Sequence, residues 1–345
     1  MVLVLKRVNI GVIGCGFIAE KAHVPNALSL PESKLAGFAD ANVDRLEFIR
    51  NKFGIGKDYC YTDYTQMLDR KDVDAVVIST PAHTHAEIVL DSIEAGKHVF
   101  VEKPLAATAI EARNIVDATE HKNVKVMVGF EHRFCPNHRI SRRYVREGRV
   151  GTPFYGEVHC EPLDIKPEEG ILLDYGVHLI DLLCYYFDDA RVREVGAMFH
   201  RTSEKTQMET EASLILRFNN GVVGRIGAFW MENFTSWSAV ERYVKILGSR
   251  GKLVTQLTGP AITLYSEGSF MSRLRGPHTF MPRGVANEYL PLTDVAYREE
   301  LEHFLQCIIG DKNPEVDAKW GLMVQQIVDA ARVSDKEGRF VKVIE

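Results

Sequence analysis

A short apolar strand followed by a glycine-rich turn, near the start of the chain, most constrains the fold. Val8–Ile13 is a β-branched run typical of a buried parallel strand. The turn after it fits the pattern G-x-G-x-x-G/A and consists of Gly14, Cys15, Gly16, Phe17, Ile18 and Ala19. Its glycines permit a tight turn and a close approach of backbone to a pyrophosphate, which the amino terminus of the next helix can also bind. Because glycines also mark ordinary turns, it is the strand before and the helix predicted after that favour a dinucleotide site.

An aspartate follows the second predicted strand, Lys34–Ala39. The carboxylate of Asp40 can accept hydrogen bonds from both hydroxyls of an adenosine ribose. The alternative is that Asp40 or Asn42 caps the helix predicted over Val43–Phe53, and the glycine turn favours the ribose. Neither of the two residues after Asp40 is an arginine, so a 2′-phosphate would meet an unneutralised carboxylate. The sequence therefore predicts NAD in preference to NADP.

Strands and helices alternate through the first third of the chain. Further strands are predicted at Ala75–Ser79, Val99–Glu102 and Lys125–Gly129, with helices between them. This alternation predicts an α/β fold with a doubly wound parallel sheet and right-handed crossovers. We assign residues 1–128 to this Rossmann domain. With 345 residues, the chain is too long for one ordinary core, so a second domain is expected over 129–345.

The second domain is predicted to be α+β, with a large and mostly antiparallel open sheet. Its β-like segments are 155–161, 191–200, 212–218, 222–230 and 242–247, and Asn219-Asn220-Gly221 is a hairpin signal. The stretch 259–291 is expected to be irregular, and two helices, near 295–309 and 318–334, close the chain. Since an open sheet needs a cover for its far face, we expect a homodimer or homotetramer formed through this sheet.

Charge and composition exclude several functions. The net charge of −5 argues against a nucleic-acid partner, and no apolar run is long enough to span a membrane. The amino terminus lacks the features of a signal peptide, and the six scattered cysteines indicate reduced thiols in a cytoplasm. His83 and His85 are interpreted as helix-start residues beside a nucleotide, so no metal site is predicted.

Two stretches carry candidate chemistry. In VFVEKPLA, Lys103 follows Glu102 at the carboxyl end of a parallel strand, where open α/β sheets bind ligands. In GILLDYGVHLIDLL, a predicted buried helix, Asp174, His178 and Asp181 are spaced i, i+4 and i+7 and so share one face. A carboxylate one turn from an imidazole can fix its tautomer, as a general base needs. The alternatives are a helix cap for Asp174 and a structural core histidine for His178.

Taken together, these motifs resemble the Gfo/Idh/MocA family of glucose–fructose oxidoreductase and inositol 2-dehydrogenase. The resemblance covers nearly the whole chain and includes GVIGCGFIA, STPAHTHAE, AGKHVFVEKPLA, VGFEHRFCPN, DYGVH, RFNNGVVG, ILGSRGKL and YREELEHF. The combination of EKP with a later D-x-x-x-H is specific to such proteins. The resemblance implies a Rossmann domain followed by an α/β domain whose open sheet is often used for oligomer contacts.

The resemblance also implies roles for individual residues. Cofactor binding is implied for Gly14, Gly16, Phe17, Ile18, Asp40, Thr80, Pro81, His85, Glu102 and Lys103. Catalysis is implied for Lys103, Asp174 and His178, and substrate binding for these three and Arg133. A cis peptide bond is a candidate at Lys103-Pro104. Glu131, His132 and Cys135 depart from residues common in the family, which leaves the substrate subgroup open.

The predicted activity is that of an NAD-dependent dehydrogenase acting on a secondary alcohol of a sugar, cyclitol or sugar derivative. His178 takes the hydroxyl proton while Asp174 orients it, and Lys103 stabilises the charge that develops on the oxygen. Two alternatives stay open: an NAD-using glycosidase of the same fold, which oxidises a sugar transiently so that elimination cleaves the bond, and a non-enzymatic sugar or nucleotide sensor. The retained lysine and histidine disfavour the sensor.

Overall fold

The computed structural model describes residues 7–230, 240–259, 261–266, 278–280 and 292–344. Within these residues the chain divides into two compact units. The first unit comprises Met1–Phe130 and Tyr297–Gln325, and the second comprises Glu131–Ala296 and Gln326–Glu345. The segment 297–325, which sequence analysis assigned to the second domain, thus packs within the first unit.

A six-stranded parallel sheet forms the centre of the first unit. Its strands are β1 Val8–Ile13, β2 Ser33–Ala39, β3 Cys60–Tyr61, β4 Ala75–Ile78, β5 His98–Glu102 and β6 Val126–Gly129. Their order is β3-β2-β1-β4-β5-β6, and every neighbouring pair is parallel. All four residues of β4 are fully buried, as a strand covered by helices on both faces requires. The predicted doubly wound α/β fold is confirmed.

Several helices of this sheet begin at residues whose side chains cap them. A π-helical turn, Ala19–His23, leads into α1 Val24–Ser29, and the helices that follow are α2 Val43–Phe53, α3 Tyr64–Leu68, α4 Ala82–Glu94 and α5 Ala109–Glu120. The side chain of Asn42 caps α2 by accepting a hydrogen bond from the Arg45 N–H at 3.1 Å. Thr108 and Glu111 form a reciprocal capping box at the start of α5. Asn42, and not Asp40, is therefore the cap of α2.

The second unit contains a nine-stranded sheet in its described residues. The strands are β7 Pro153–Cys160, β8 Val192–His200, β9 Glu211–Phe218, β10 Val223–Phe229, β11 Arg242–Gly248, β12 Gly251–Gln256, β13 Ile262–Ser266, β14 His278–Phe280 and β15 Val341–Lys342. Their order is β14-β13-β12-β11-β7-β10-β9-β8-β15, and all neighbouring pairs are antiparallel except β7 and β10. The predicted open, mostly antiparallel sheet is confirmed, as is the hairpin joining β9 to β10, in which Gly221 has a φ of +86°.

One prediction for this sheet is wrong in its described part. The stretch 259–291 was expected to be irregular, yet β13 and β14 lie within it and pair in sequence onto β12. Gly, Pro and Ser are common in this stretch and masked the strand signal, because pairing with neighbouring strands overrides a weak local preference. The rest of the stretch lies outside the described residues.

Helices of the second unit cover one face of its sheet. They include a 3₁₀ turn Glu131–Phe134, α6 Pro136–Arg146, a π-helical turn Leu172–Gly176 and α7 Val177–Tyr186. The closing helices of the chain are α8 Leu292–Ile309 and α9 Ala318–Glu337, of which residues 297–325 belong to the first unit. Every residue of α7 is buried. A Cβ at Gly224 of β10 would lie 2.6 Å from the Leu183 side chain, so glycine lets α7 pack directly on the strand.

The helix predicted over 170–183 is interrupted. Gly170 and Ile171 are α-helical, Leu172–Gly176 is a π-turn, and α-helical geometry resumes at Val177. Asp174 and His178 therefore do not stand in the simple i, i+4 relation of an α-helix, although His178 and Asp181 both lie on α7. Hydrophobic spacing alone does not distinguish a π-turn from an α-turn, which is why the sequence analysis missed it.

The described helices offer no membrane span: none combines the length and apolar character needed to cross a bilayer. The domain boundary at residue 128 stays a prediction.

Candidate active site

The glycine turn after β1 forms one wall of a cavity in the first unit. Gly14 has a φ of +91°, and a Cβ on it would lie 2.7 Å from the Ser79 carbonyl group. Glycine is thus required both by the backbone conformation and by the approach of β4. The cavity has a volume of about 360 Å³ and is lined by Ile13, Gly14, Gly16, Ala39, Asp40, Ala41, Thr62, Tyr64, Ser79, Thr80, Pro81, Thr84, Glu87 and Ile88. Five predicted cofactor residues therefore meet here: Gly14, Gly16, Asp40, Thr80 and Pro81.

Asp40 is fixed by backbone donors. Its Oδ2 accepts the Cys15 N–H at 2.6 Å, and its Oδ1 accepts the Asn42 N–H at 2.8 Å. Each carboxylate oxygen keeps lone pairs for a further donor. The position and remaining acceptor capacity of Asp40 suit the two hydroxyls of a ribose.

Arg45, which no sequence motif indicated, lies beside the same turn. Its guanidinium donates to the Cys15 carbonyl oxygen at 2.6 Å and to Glu20 at 2.6 Å. Lys52 and Arg45 together lower the pKa of Glu20 to about 2. The charge of Arg45 is thus already engaged by the turn and by a carboxylate, which fits a site without a 2′-phosphate. This arginine stands five residues after Asp40, within α2, and so gave no signal in the linear motif.

Other predicted cofactor residues lie near the cavity but do not line it. The side chain of Phe17 is largely exposed, at 73%, and Ile18 is half-buried. The two ring nitrogens of His85 lie 2.7 Å from the Pro104 carbonyl oxygen and 2.9 Å from that of Thr80. His85 therefore ties the loop after β5 to the loop after β4. The Lys103-Pro104 bond is cis, as predicted.

Glu102, the last residue of β5, is held by a histidine that sequence analysis did not single out. Its Oε1 lies 2.7 Å from His23 Nε2, and its Oε2 accepts the Lys103 N–H at 3.3 Å. His23 is buried in the π-turn that follows the glycine turn. Glu102 thus links this turn to the backbone of Lys103.

In the second unit, two residues, Glu131 and His132, converge on His178. Its Nδ1 lies 3.3 Å from Glu131 Oε2, and Glu131 Oε1 lies 3.7 Å from His132 Nδ1. The rings of His132 and His178 are 5.2 Å apart between centroids. The exposed fractions of Glu131, His132 and His178 are 5%, 7% and 8%. The structure therefore brings a carboxylate to His178 from the 3₁₀ turn after β6, a partner that the sequence analysis had placed among departures from the family.

Asp174 accepts the Lys166 N–H at 2.9 Å through its Oδ2. It is buried within the π-turn that precedes α7. This contact anchors the carboxylate to the loop before the turn. The role of Asp174 in orienting His178 stays a prediction.

Asp181, the third member of the predicted set, has a different partner. Its carboxylate accepts from Arg133 Nε at 2.8 and 3.0 Å and lies 2.7 Å from Arg133 Nη2. Arg133 has no exposed surface, lies 3.2 Å from Asp189 and stacks 5.0 Å above the Tyr185 ring centroid. This burial is at odds with the predicted contact between Arg133 and substrate, because the guanidinium is enclosed by its own fold.

Family comparisons agree with this architecture. Residues 8–130 match the family model described as "Oxidoreductase family, NAD-binding Rossmann fold", and residues 142–343 match "Oxidoreductase family, C-terminal alpha/beta domain", both of the Gfo/Idh/MocA group. Myo-inositol 2-dehydrogenase of Thermotoga maritima is 28% identical over 350 residues, covering 98% of this chain and 99% of that one. Levoglucosan dehydrogenase of Pseudarthrobacter phenanthrenivorans is 36% identical over 269 residues, covering 65% and 68%.

Solved structures show the same fold. A probable dehydrogenase from Thermotoga maritima superposes with a TM-score of 0.81 at 26% identity, covering 98% of this chain and 100% of that one. Levoglucosan dehydrogenase in complex with NADH and levoglucosan gives a TM-score of 0.84 at 24% identity, with 98% and 100% coverage. The fold of both units is therefore shared along nearly the whole chain.

Proposed function

Because the chain belongs to the Gfo/Idh/MocA family of oxidoreductases, we propose that it oxidises a secondary alcohol of a sugar or cyclitol, reversibly and with NAD. Its relatives include enzymes named for inositol and levoglucosan, which are compact polyhydroxylated rings. The observation that carries the proposal is the buried Glu131 carboxylate 3.3 Å from His178 Nδ1. That arrangement is what a general base for a neutral hydroxyl needs.

The first unit would hold NAD at the cavity beside the glycine turn. The backbone of Gly14 and Gly16 would lie against the pyrophosphate, and Asp40 would accept from the ribose hydroxyls. Glu102 and Lys103 follow at the carboxyl end of β5, the edge where parallel sheets bind ligands. Bound NAD supplies the hydride acceptor.

His178 would accept the hydroxyl proton at Nε2. Glu131 next to Nδ1 favours the tautomer that carries its hydrogen there, which leaves the Nε2 lone pair for the substrate. The same carboxylate stabilises the imidazolium once the proton has arrived. We therefore assign to Glu131 the positioning role that sequence analysis gave to Asp174, and keep Asp174 as a second candidate.

Lys103 would donate a hydrogen bond to the oxygen that loses its proton. An ammonium group aimed at an oxygen that becomes negative stabilises the transition state more than the ground state. The Lys103 backbone is restrained by its hydrogen bond to Glu102, which in turn is held by His23. This anchoring supports a fixed position for the lysine.

The test begins with a screen of polyols, sugars and nucleotide sugars for NADH formation, with NADP in parallel. On the best substrate, Lys103→Met and His178→Gln should each lower kcat by about 10²–10⁴-fold, the range for general acid–base groups. NAD binding, measured by fluorescence titration, should persist in both. Lys71→Met and His159→Gln serve as matched controls, because Lys71 is exposed and His159 pairs with Glu161 elsewhere.

Two further variants separate the positioning residues. If Glu131 orients His178, Glu131→Gln should lower kcat by at least about tenfold and shift the pH profile of kcat, while Asp174→Asn has the smaller effect. The reverse order would restore Asp174 as the partner. Near wild-type turnover in both Lys103→Met and His178→Gln would overturn the proposal. Release of aglycone without net NADH would replace it with the glycosidase.

We further propose that two or four copies associate through the sheet of the second unit. Support comes from apolar side chains on exposed positions of its strands: Met198 is 70% exposed on β8, and Ile215 is 37% exposed on β9. Light scattering of the wild type should give a dimer or tetramer, and Met198→Lys with Ile215→Lys should yield the monomer. A monomeric wild type would contradict the proposal.

A further inference from the structure

Glu131, His132 and His178 lie together as the ligands of a metal ion would. One ligand atom from each of the three residues falls within 4.8 Å of the other two, and all three residues are buried. Glu131 and His132 belong to the 3₁₀ turn after β6, whereas His178 belongs to α7. Because they come from separate segments, the linear sequence offered no metal-binding spacing.

The separations suit a tetrahedral first-row ion. Bonds of about 2.0–2.2 Å from zinc to nitrogen and oxygen place neighbouring ligand atoms about 3.3–3.6 Å apart. His178 Nδ1 lies 3.3 Å from Glu131 Oε2, and His132 Nδ1 lies 3.7 Å from Glu131 Oε1. The two contacts use different oxygens of Glu131. The carboxylate and the rings must therefore turn to bring one oxygen and both imidazole nitrogens, which lie within 4.8 Å of one another, around one ion.

The chemistry of the donors selects the class of ion. Two imidazole nitrogens and one carboxylate oxygen are ligands of zinc and of neighbouring divalent transition ions, whereas magnesium and calcium prefer oxygen alone. A buried carboxylate is stabilised by nearby positive charge, and a divalent ion supplies two charges. Three protein ligands also leave a fourth position for water or a ligand oxygen.

We propose that Glu131, His132 and His178 form a binding site for a divalent first-row transition ion such as Zn²⁺. Ion binding takes the lone pair of each coordinating imidazole nitrogen and releases any proton held there to solvent. With the ion on Nδ1, His178 keeps its hydrogen on Nε2 and no longer accepts a proton from substrate. Inhibition of turnover by the ion is thus a consequence that rests on the proposed function, whereas ion binding itself does not.

The test measures ion binding directly. Full-length protein, stripped with EDTA, is titrated with Co²⁺ while its visible absorption is followed, and with Zn²⁺ by calorimetry. We expect one ion per chain and a Co²⁺ spectrum typical of tetrahedral nitrogen and oxygen ligands. Glu131→Gln and His132→Gln should each weaken binding by more than the ~10–100-fold that loss of a supporting partner costs.

His159→Gln is the matched control, since it removes another histidine that stands 3.0 Å from a carboxylate in the same unit. It should bind the ions as the wild type does. Circular dichroism and urea unfolding confirm that each variant is folded. The proposal is overturned if the wild type binds neither ion, or if binding is the same in Glu131→Gln and His132→Gln as in the wild type.

The turnover assay separates this inference from the proposed function. Ion binding that vanishes in the two variants upholds the site even if no substrate is ever found. Turnover in a protein that binds no ion leaves the proposed function standing and removes only the metal site.

Discussion

His23 Nε2 lies 2.7 Å from Glu102 Oε1, and their side chains are only 1% and 10% exposed. The histidine comes from the π-turn after the glycine turn, and the glutamate ends β5. The second oxygen of Glu102 accepts the Lys103 N–H at 3.3 Å. A contact between two segments far apart in sequence therefore fixes the backbone of the proposed catalytic lysine.

Replacing His23 should expose the dependence of Lys103 on this contact. His23→Leu removes one hydrogen-bond partner of a buried carboxylate and should lower the free energy of unfolding by about 1–3 kcal/mol. It should also lower kcat more than it changes KM for substrate, because Lys103 loses its fixed position. Urea unfolding and steady-state kinetics provide the measurements. His23→Gln, which restores a donor, should recover most of both losses; equal losses in the two variants would show that volume and not hydrogen bonding matters.

Asp40 should control the choice of cofactor. Asp40→Asn removes the charge that opposes a 2′-phosphate and weakens the acceptor for the ribose hydroxyls, so KM for NAD should rise by about tenfold, or about 1.4 kcal/mol. KM for NADP should fall over the same substitution. Asp44→Asn, at an exposed position of the first turn of α2, is the matched control and should leave both constants unchanged. Faster turnover of the wild type with NADP would show that the role given to Asp40 is wrong.

The buried pair of Arg133 and Asp181 should contribute to stability. Asp181→Asn or Arg133→Met removes the close partner of a buried charge, which costs about 3–5 kcal/mol of unfolding free energy. The combined change Arg133→Met with Asp181→Leu should recover much of that loss, because both charges leave together. Arg217→Gln, which removes an exposed arginine 3.2 Å from Glu194, should cost at most about 1 kcal/mol. A variant Arg133→Lys with normal stability and a raised KM would instead support direct contact with substrate.

His138 should make the second unit sensitive to acid. It has no exposed surface, and its Nε2 lies 2.7 Å from the Leu257 carbonyl oxygen while Nδ1 lies 2.9 Å from the Tyr186 hydroxyl. Burial lowers the pKa of His138 to about 4 from its ordinary 6.5. Between these two pKa values His138 binds a proton in the unfolded chain but not in the folded protein. Its contribution to the free energy of unfolding is therefore complete above pH 6.5 and is lost as the pH falls towards 4.

The difference between the two pKa values corresponds to about 3 kcal/mol of stability. Urea unfolding of the wild type and His138→Gln over this pH range isolates the contribution of this residue. The gap in unfolding free energy between the two proteins should narrow as the pH falls. If the gap in unfolding free energy stays constant with pH, His138 binds its proton equally in the folded and the unfolded protein.

The fold was predictable where the sequence encodes it locally. The apolar run Val8–Ile13, the glycine turn and the alternation that follows specify the parallel sheet, because buried strands and their helices have distinct spacing. Strands of two residues, such as β3 and β15, carry no periodic signal and depend on neighbours for their hydrogen bonds. Such short strands are determined by tertiary contacts and cannot be predicted from the local sequence.

The candidate site was predictable only in part, for a related reason. Gly14, Asp40 and Lys103 stand at fixed offsets from strands, so their sequence positions place them at one sheet edge. The partners His23 and Glu131 reach Glu102 and His178 through tertiary packing, and no spacing in the sequence joins them. In this chain, the sequence indicates the backbone segments of the candidate site, whereas the side chains that support them are identified only in the structure.

The π-turn Leu172–Gly176 determines how the residues before α7 are oriented about the helix axis. A π-turn contains one residue more than an α-turn. Deleting one residue of the turn, so that regular α-helix forms, would rotate the segment before it by about 100° around the helix axis. Asp174 would then face another direction while His178 stayed in place. A one-residue deletion here is therefore a more drastic change to the candidate site than many substitutions within it.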